Sequence, residues 1–390
     1  MSDYDSSDDE EYTPKRRRIT PERTLTPKQK LKKRITDSLM PQKAKNEAYS
    51  RIENDDPEKS FKWVDHLLRI PFGKKIPLPV NRSSKQRDIQ RFFEQTKNTL
   101  DDAVYGMQSV KEEVINYVAQ FISTASDSMP RILGLRGSPG CGKTAIIRNG
   151  FAKAMNRPIK CISMGGIRDS NYFLGHDYTY VGSRYGIIVE SLINMKCMNG
   201  ILFMDEVDKI SQTYDGSDIQ NLLLHITDPV QNHSFHDKYF GDIDIDLSKM
   251  VFVFSFNDEK LIDPILRDRI YIINVPDPTM KERIVIGQKY LLKELSPNIG
   301  FKRTEIILPT ETVEHIIKNF CQNQKGVRGL KKCIESILLK LNTARYVTNI
   351  KYKSLSEGIK IPFTVTKQVA DDLIDKVENS EDKYLASMYL

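Results

Sequence analysis

Apolar residues follow two different periods along this chain. Phe61, Val64, Leu67 and Leu68 repeat at the three- and four-residue spacing of one helical face, which Pro71 and Gly73 then end. A second helical stretch is expected over 100–122. Beyond it, short apolar and β-branched runs at 131–136, 159–163, 200–205, 250–256 and 270–274 alternate with helical stretches of crossover length. Strands separated in that way pair in parallel and take helices on both faces, so the expected fold class is α/β. After Pro276 the strands stop, and periodic segments near 279–295, 310–323 and 327–346 predict a small helical domain.

The first 60 residues break this pattern. Only 13 of them are apolar, a fraction typical of disorder, and residues 1–60 are expected to form a flexible charged arm. Residues 1–12 carry six acids and no base, whereas residues 13–34 carry ten bases against Glu22. The run Pro14-Lys15-Arg16-Arg17-Arg18 reads either as a nuclear-import or acid-binding address or as a solvated charge run. The net charge of +7 is too diffuse over the body to mark a nucleic-acid stripe. Five cysteines without CxxC spacing argue against a disulfide framework or zinc site, and fit a reducing, intracellular compartment. No apolar run reaches 18 residues and the N-terminus is acidic, so neither a membrane span nor a secretory signal is expected.

Candidate chemistry begins at Gly137-Ser138-Pro139-Gly140-Cys141-Gly142-Lys143-Thr144, which satisfies G-x-x-x-x-G-K-[ST] between an apolar strand and a helical stretch. Glycines let backbone N–H groups wrap a phosphate at the positive end of the helix. Lys143 would reach the β- and γ-phosphates, and Thr144 would ligate Mg²⁺. The run Ile201-Leu202-Phe203-Met204-Asp205-Glu206 supplies the two acids such a loop needs. Asp205 would hold Mg²⁺ at the strand end, and Glu206 would act as general base on the attacking water.

These residues resemble the ATPase module of Lon-type proteases, members of the AAA+ family. Ser163-Met164-Gly165-Gly166-Ile167-Arg168-Asp169, Gly175-His176, Thr179-Tyr180-Val181-Gly182, Asp205-Glu206-Val207-Asp208-Lys209-Ile210 and Asp228-Pro229-Val230-Gln231-Asn232 are similar to Lon segments, from about Phe61 to Lys376. The resemblance implies a P-loop NTPase with a parallel sheet flanked by helices and a small helical lid. Its divisions would be an arm over 1–60, a helical linker over 61–125, the nucleotide-binding domain over 126–276, the lid over 277–376 and a tail over 377–390. Asn257 would be sensor 1, with a strand-end cap as the plainer reading. Arg269 would be the arginine finger toward a neighbouring subunit, against a surface salt bridge, with Arg267 as a substitute finger. Arg328 would be sensor 2, or a helix-opening Arg paired with an acid. Tyr105 and Gly106 would border adenine. Tyr180 and Val181 would grip polypeptide in a central pore, with a core tyrosine as the alternative, and Tyr214 would be a second pore residue or a structural one. Two departures from the family are Asp177-Tyr178, where basic residues are usual, and Cys141 in place of a small aliphatic, which adds thiol sensitivity.

What the resemblance implies is an Mg-ATP hydrolysing ring, a hexamer, that unfolds or remodels unfolded or misfolded protein in protein quality control. The family's serine–lysine protease domain would follow the lid; here 14 residues follow Lys376, Ser380 and Ser387 lack a Gly-rich turn, and no peptidase activity is expected. A second reading, from the basic arm, is a nucleic-acid motor or clamp-loader-like ATPase. A third is an ATPase partner of a separate protease, or a scaffold that binds ATP with little turnover. No membrane partner is expected.

Overall fold

The computed structural model describes residues 26–123, 131–180, 182–210, 214–322, 324–347, 352–355 and 359–374. The chain divides into two compact units between Leu68 and Arg69.

Over residues 26–60 the first unit corrects the expectation of a disordered arm; residues 1–25 lie outside the described residues. Residues 26–60 lie largely in helices: α1 Pro27–Asp37, α2 Gln42–Asn54 and α3 Pro57–Arg69. Thr26 opens α1 with a reciprocal capping box to Gln29, and Pro27 presets the first turn. The few apolar residues are spaced to bury: Leu31 and Ile35 on α1, Ala44, Ala48 and Ile52 on α2, Trp63, Val64 and Leu67 on α3. The charges pair on the outside. Glu53 accepts from Lys28 at 2.6 Å and also from Lys32, Arg34 meets Asp65 at 2.9 Å, and the Arg51 guanidinium lies 4.2 Å over the Trp63 ring. Composition predicted disorder here, but placement of the apolar residues decided the outcome. The run Pro14-Lys15-Arg16-Arg17-Arg18 and the tail 377–390 lie outside the described residues.

In the second unit five parallel strands, β1 Ile132–Arg136, β2 Ile159–Ser163, β3 Ile201–Asp205, β4 Val251–Phe256 and β5 Ile270–Asn274, run in the order β2-β3-β4-β1-β5. β4 is buried at every position and β3 at four of five, which is why both read as continuous apolar runs. Leu133 pairs with Val253 on one side and Tyr271 on the other, and Phe203 also pairs with Val253. This register brings the C-terminal ends of β1, β3 and β4 side by side, the position where open α/β sheets bind ligands.

The helices expected as a linker over 61–125 belong partly to this unit's core. Phe92 and Leu100 of Gln86–Ala103, and Val110, Val114 and Val118 of Gln108–Ser123, share one cluster with Leu133, Leu135, Phe203 and Val253. The helix after the phosphate loop runs from Lys143–Ala145 through a π-helical stretch Ile146–Phe151 into Ala152–Ala154. Ile146, Ile147 and Phe151 complete the cluster.

The lid packs Thr310–Phe320, Arg328–Ala344 and Lys367–Leu373 around Val313, Ile316, Leu330, Ile334, Leu338 and Leu341. Contrary to the expectation that strands end at Pro276, it holds a short parallel pair, β6 Ile306–Ile307 with β7 Phe363–Thr364. Two-residue strands carry no period to read.

Candidate active site

The loop between β1 and the helix at Lys143 turns through left-handed backbone at Gly140 (φ 76°) and Gly142 (φ 104°). A side chain at Gly137 would strike the Val275 carbonyl at 2.6 Å, so the loop is seated against the end of β5. Lys143 is 8% exposed; its ammonium donates to the carbonyls of Gly137 at 2.5 Å and Ser138 at 3.2 Å and to Asn257 Oδ1 at 2.8 Å. Ser138 is half-buried and Pro139 exposed. Cys141 is buried, and burial pushes its thiol above the usual range, opposed by Lys143, so the added thiol sensitivity read from the sequence falls on a group held in its less reactive thiol form.

Thr144 Oγ1 donates to Asp205 Oδ2 at 3.2 Å, and Ser255 donates to Asp205 Oδ1. A hydroxyl and a carboxylate set together beside the phosphate loop suit Mg²⁺, which keeps waters and takes few protein oxygens. The Thr144 hydroxyl and Asp205 carboxylate are the donors that would hold the ion; no group of three or more His, Cys, Asp or Glu that could hold a metal occurs among the described residues.

Glu206 follows in left-handed backbone (φ 63°), an uncommon conformation for a residue with a side chain, and one that clusters at functional sites. Its carboxylate is paired with Lys209 Nζ at 2.5 Å. A methyl at Gly165 would stand 2.7 Å from Glu206 Oε2, so the Met164-Gly165-Gly166 motif leaves the space this carboxylate occupies.

Two residues missed as site members tie these parts together. Buried Asp208 accepts the backbone N–H of Asn257 at 3.0 Å and of Asp258 at 3.1 Å on Oδ2. Ser255 Oγ accepts the Glu206 N–H at 3.4 Å while donating to Asp205. Neither role shows in sequence spacing, because each depends on β3 lying beside β4.

The lid reaches the same loop. Val327 N–H donates to the Gly140 carbonyl at 3.0 Å, and Arg328 Cβ lies 2.9 Å from where a Gly140 Cβ would be. The exposed Arg328 side chain is thereby held at the loop's rim. Tyr105 is half-exposed, its ring centroid 6.0 Å from that of Tyr290, and Gly106 turns through left-handed backbone (φ 69°) beside the Glu282 carboxylate. Met107 and Val104 abut Gly142, so this segment borders the loop.

Arg269 is separate from this cluster. It donates to the Leu224 carbonyl at 2.7 Å and to Asp228 at 2.9 Å, the salt-bridge geometry set against the finger reading. It lines a cleft of about 290 Å³ with Arg131, Pro229, Asp268 and Tyr271. Tyr180 is 70% exposed at the tip of a turn, which excludes a core tyrosine; Val181 lies outside the described residues, as does the side chain of Tyr214, which opens Tyr214–Thr227. The base of the Tyr180 turn is closed by His176 N–H to the Arg184 carbonyl at 3.0 Å and by Gly186 N–H to Asp237 at 2.8 Å. Burial pushes the Asp237 carboxyl up to about 7, against the Gly186 and Tyr239 N–H groups that favour its charged form.

Residues 133–276 match the model of the ATPase family associated with various cellular activities (AAA). The chain is 34% identical over 334 residues to a Lon protease homolog of Acanthamoeba polyphaga mimivirus, covering 83% of this chain and 32% of the relative. It is 31% identical over 358 residues to the Lon protease of Clostridium beijerinckii, covering 90% and 42%, and 34% identical over 278 residues to the mitochondrial Lon protease homolog of Bos taurus, covering 71% and 27%. The chain carries a Lon-like AAA ATPase module. It spans less than half the length of these relatives. The five-stranded order and helical lid of this Lon-like module agree with the expected fold class. No helix among its described residues is long and apolar enough to cross a membrane.

Proposed function

We propose that this Lon-like module hydrolyses Mg-ATP in a homo-oligomeric ring, a hexamer, and uses the turnover to unfold or remodel protein. The observation that carries the reading is the convergence of Lys143, Thr144, Asp205, Glu206 and Asn257 at the adjacent ends of β1, β3 and β4. Bound ATP would take the Lys143 ammonium now held by loop carbonyls, and the loop N–H groups would meet its phosphates. Mg²⁺ held by Thr144 and Asp205 would neutralise charge on the phosphate oxygens. Glu206 would accept the proton of the attacking water, with Asn257 orienting that water and Asp208 fixing the Asn257 backbone. Arg269 would have to leave Asp228 to serve a neighbouring subunit as a finger.

The protein-substrate part of the reading is supported by Tyr180, an exposed ring on a turn anchored at both ends, which suits gripping polypeptide by apolar contact. The five unbridged cysteines support a reducing, intracellular setting. The test is ATPase rate, with and without ATP-dependent assembly, in the presence of an unfolded protein or of DNA. Stimulation by the unfolded protein, lost in Tyr180→Ala, supports remodelling. Stimulation by DNA alone, falling steeply with salt, replaces it with the nucleic-acid motor. Co-purification of a peptidase would identify the chain as the ATPase partner of a separate protease.

A further inference from the structure

We propose that Cys321 and Cys333 form a reversible oxidation site in the lid, a dithiol that takes a hydroperoxide as oxidant and closes to a disulfide across the segment docked on the phosphate loop. Cys321 caps the C-terminal end of Thr310–Phe320, and Cys333 sits in the second turn of Arg328–Ala344. Their sulfurs are 3.9 Å apart. Among the described residues the other three cysteines make no thiol–thiol contact.

The surroundings favour a reactive sulfur. Nε and Nη2 of Arg283, on Met280–Val285, are buried without a hydrogen-bond partner. Buried guanidinium nitrogens without partners cost free energy that a nearby anion offsets. The Cys333 thiol donating to Cys321, with the Arg283 charge beside it, holds the Cys321 thiol below the ordinary cysteine value against the opposing effect of burial. The same contact raises Cys333, leaving it the proton donor of the pair. Cys321 is 1% exposed and Cys333 partly exposed, so the pair would be reached from the Cys333 side, by a small peroxide and not by a bulky disulfide such as oxidised glutathione.

The Cys321 thiolate attacks one peroxide oxygen. The O–O bond breaks, and the departing hydroxide takes up the proton the thiol released, giving water and a sulfenic acid. The Cys333 sulfur then attacks the Cys321 sulfur; the S–S bond forms, the S–O bond breaks, and the hydroxyl leaves with the Cys333 proton as a second water. The two thiols lose two electrons and the peroxide gains two. A dithiol reductant reverses the product by exchange.

The two cysteines bracket Gly326, Val327 and Arg328, which gives the disulfide a route to the nucleotide loop. An S–S bond of about 2.05 Å requires the sulfurs to approach by nearly 2 Å from their present 3.9 Å. The segment between them is docked on the loop: Val327 N–H reaches the Gly140 carbonyl at 3.0 Å, and a Gly326 Cβ would stand 2.5 Å from the Pro139 carbonyl. Closing the bond would strain these contacts, draw the segment off the loop and weaken ATP binding. Only this consequence rests on the ATP-site reading.

The test treats the full chain with hydrogen peroxide, blocks remaining thiols with an alkylating agent and maps tryptic peptides. The expected product joins the peptide containing Cys321 to the one containing Cys333, with two hydrogens lost and recovery in dithiothreitol. Oxidised glutathione should leave the pair reduced, and Cys333→Ser should leave a Cys321 sulfenic acid that a dimedone probe traps. The KM for ATP should rise three- to tenfold on oxidation and return on reduction. Both residues persisting as alkylated thiols while exposed Cys161 is oxidised would overturn the site. A complete Cys321–Cys333 disulfide with an unchanged KM would overturn its coupling to ATP. If the reduced chain binds no ATP at all, the ATP-site reading fails, and peptide mapping still decides the disulfide.

Discussion

Gly326→Ala isolates the contact between lid and phosphate loop. Gly326 has no left-handed backbone to protect, so alanine meets a problem of space rather than conformation. Its Cβ would lie 2.5 Å from the Pro139 carbonyl oxygen and 2.7 Å from the Gly140 carbonyl carbon and oxygen. These are backbone atoms of a loop seated against β5, so they cannot swing aside as a flexible side chain would. Forcing one extra carbon into a filled space costs about 1–3 kcal/mol. The lid can avoid that cost by lifting from the loop, since its own core around Leu330, Ile334 and Leu341 is unaffected. At about 1.4 kcal/mol per tenfold, ATP affinity is expected to fall by roughly 5- to 150-fold with little change in thermal stability. Isothermal titration with a slowly hydrolysed ATP analogue, alongside thermal melting of the nucleotide-free chain, measures both. Unchanged affinity would refute docking of the lid at Gly326. A large drop in melting temperature without nucleotide would show that the glycine serves the lid's own folding instead.

Glu206→Gln should retain ATP binding and lower turnover by about 10²–10⁴-fold in a single-turnover assay; normal turnover would remove Glu206 as the base. Asp208→Ala leaves the N–H groups of Asn257 and Asp258 without their acceptor and should cost about 1–3 kcal/mol in denaturant unfolding, with kcat falling more than KM rises. Asp237, raised from an ordinary 3.8 to about 7 by burial, binds its proton more tightly folded than unfolded. Its contribution is therefore full below about pH 4 and is lost as pH rises toward 7, on the order of a few kcal/mol; unfolding of Asp237→Asn should show a flatter pH slope over that window.

The parts of this fold that could be read from sequence are those whose signal is continuous. Val251–Phe256 and Ile201–Asp205 are apolar almost throughout because parallel central strands are covered on both faces, and the phosphate loop keeps its glycines and Lys143 adjacent in sequence. The helices over 27–54 were hidden because composition averages over the positions that matter; Leu31 with Ile35 and Ala44 with Ala48 and Ile52 repeat on single helical faces amid a charged background. The site's supports were hidden for another reason. Asp208 and Ser255 stand 47 residues apart, and nothing local tells either that β3 pairs with β4; yet the strand register sets Ser255 between the Asp205 carboxylate and the Glu206 N–H. Residues that do chemistry on a phosphate are recognisable by type, because few side chains can do it. Residues that hold them can be any polar group the topology delivers, so they become visible only once the order of the strands is known.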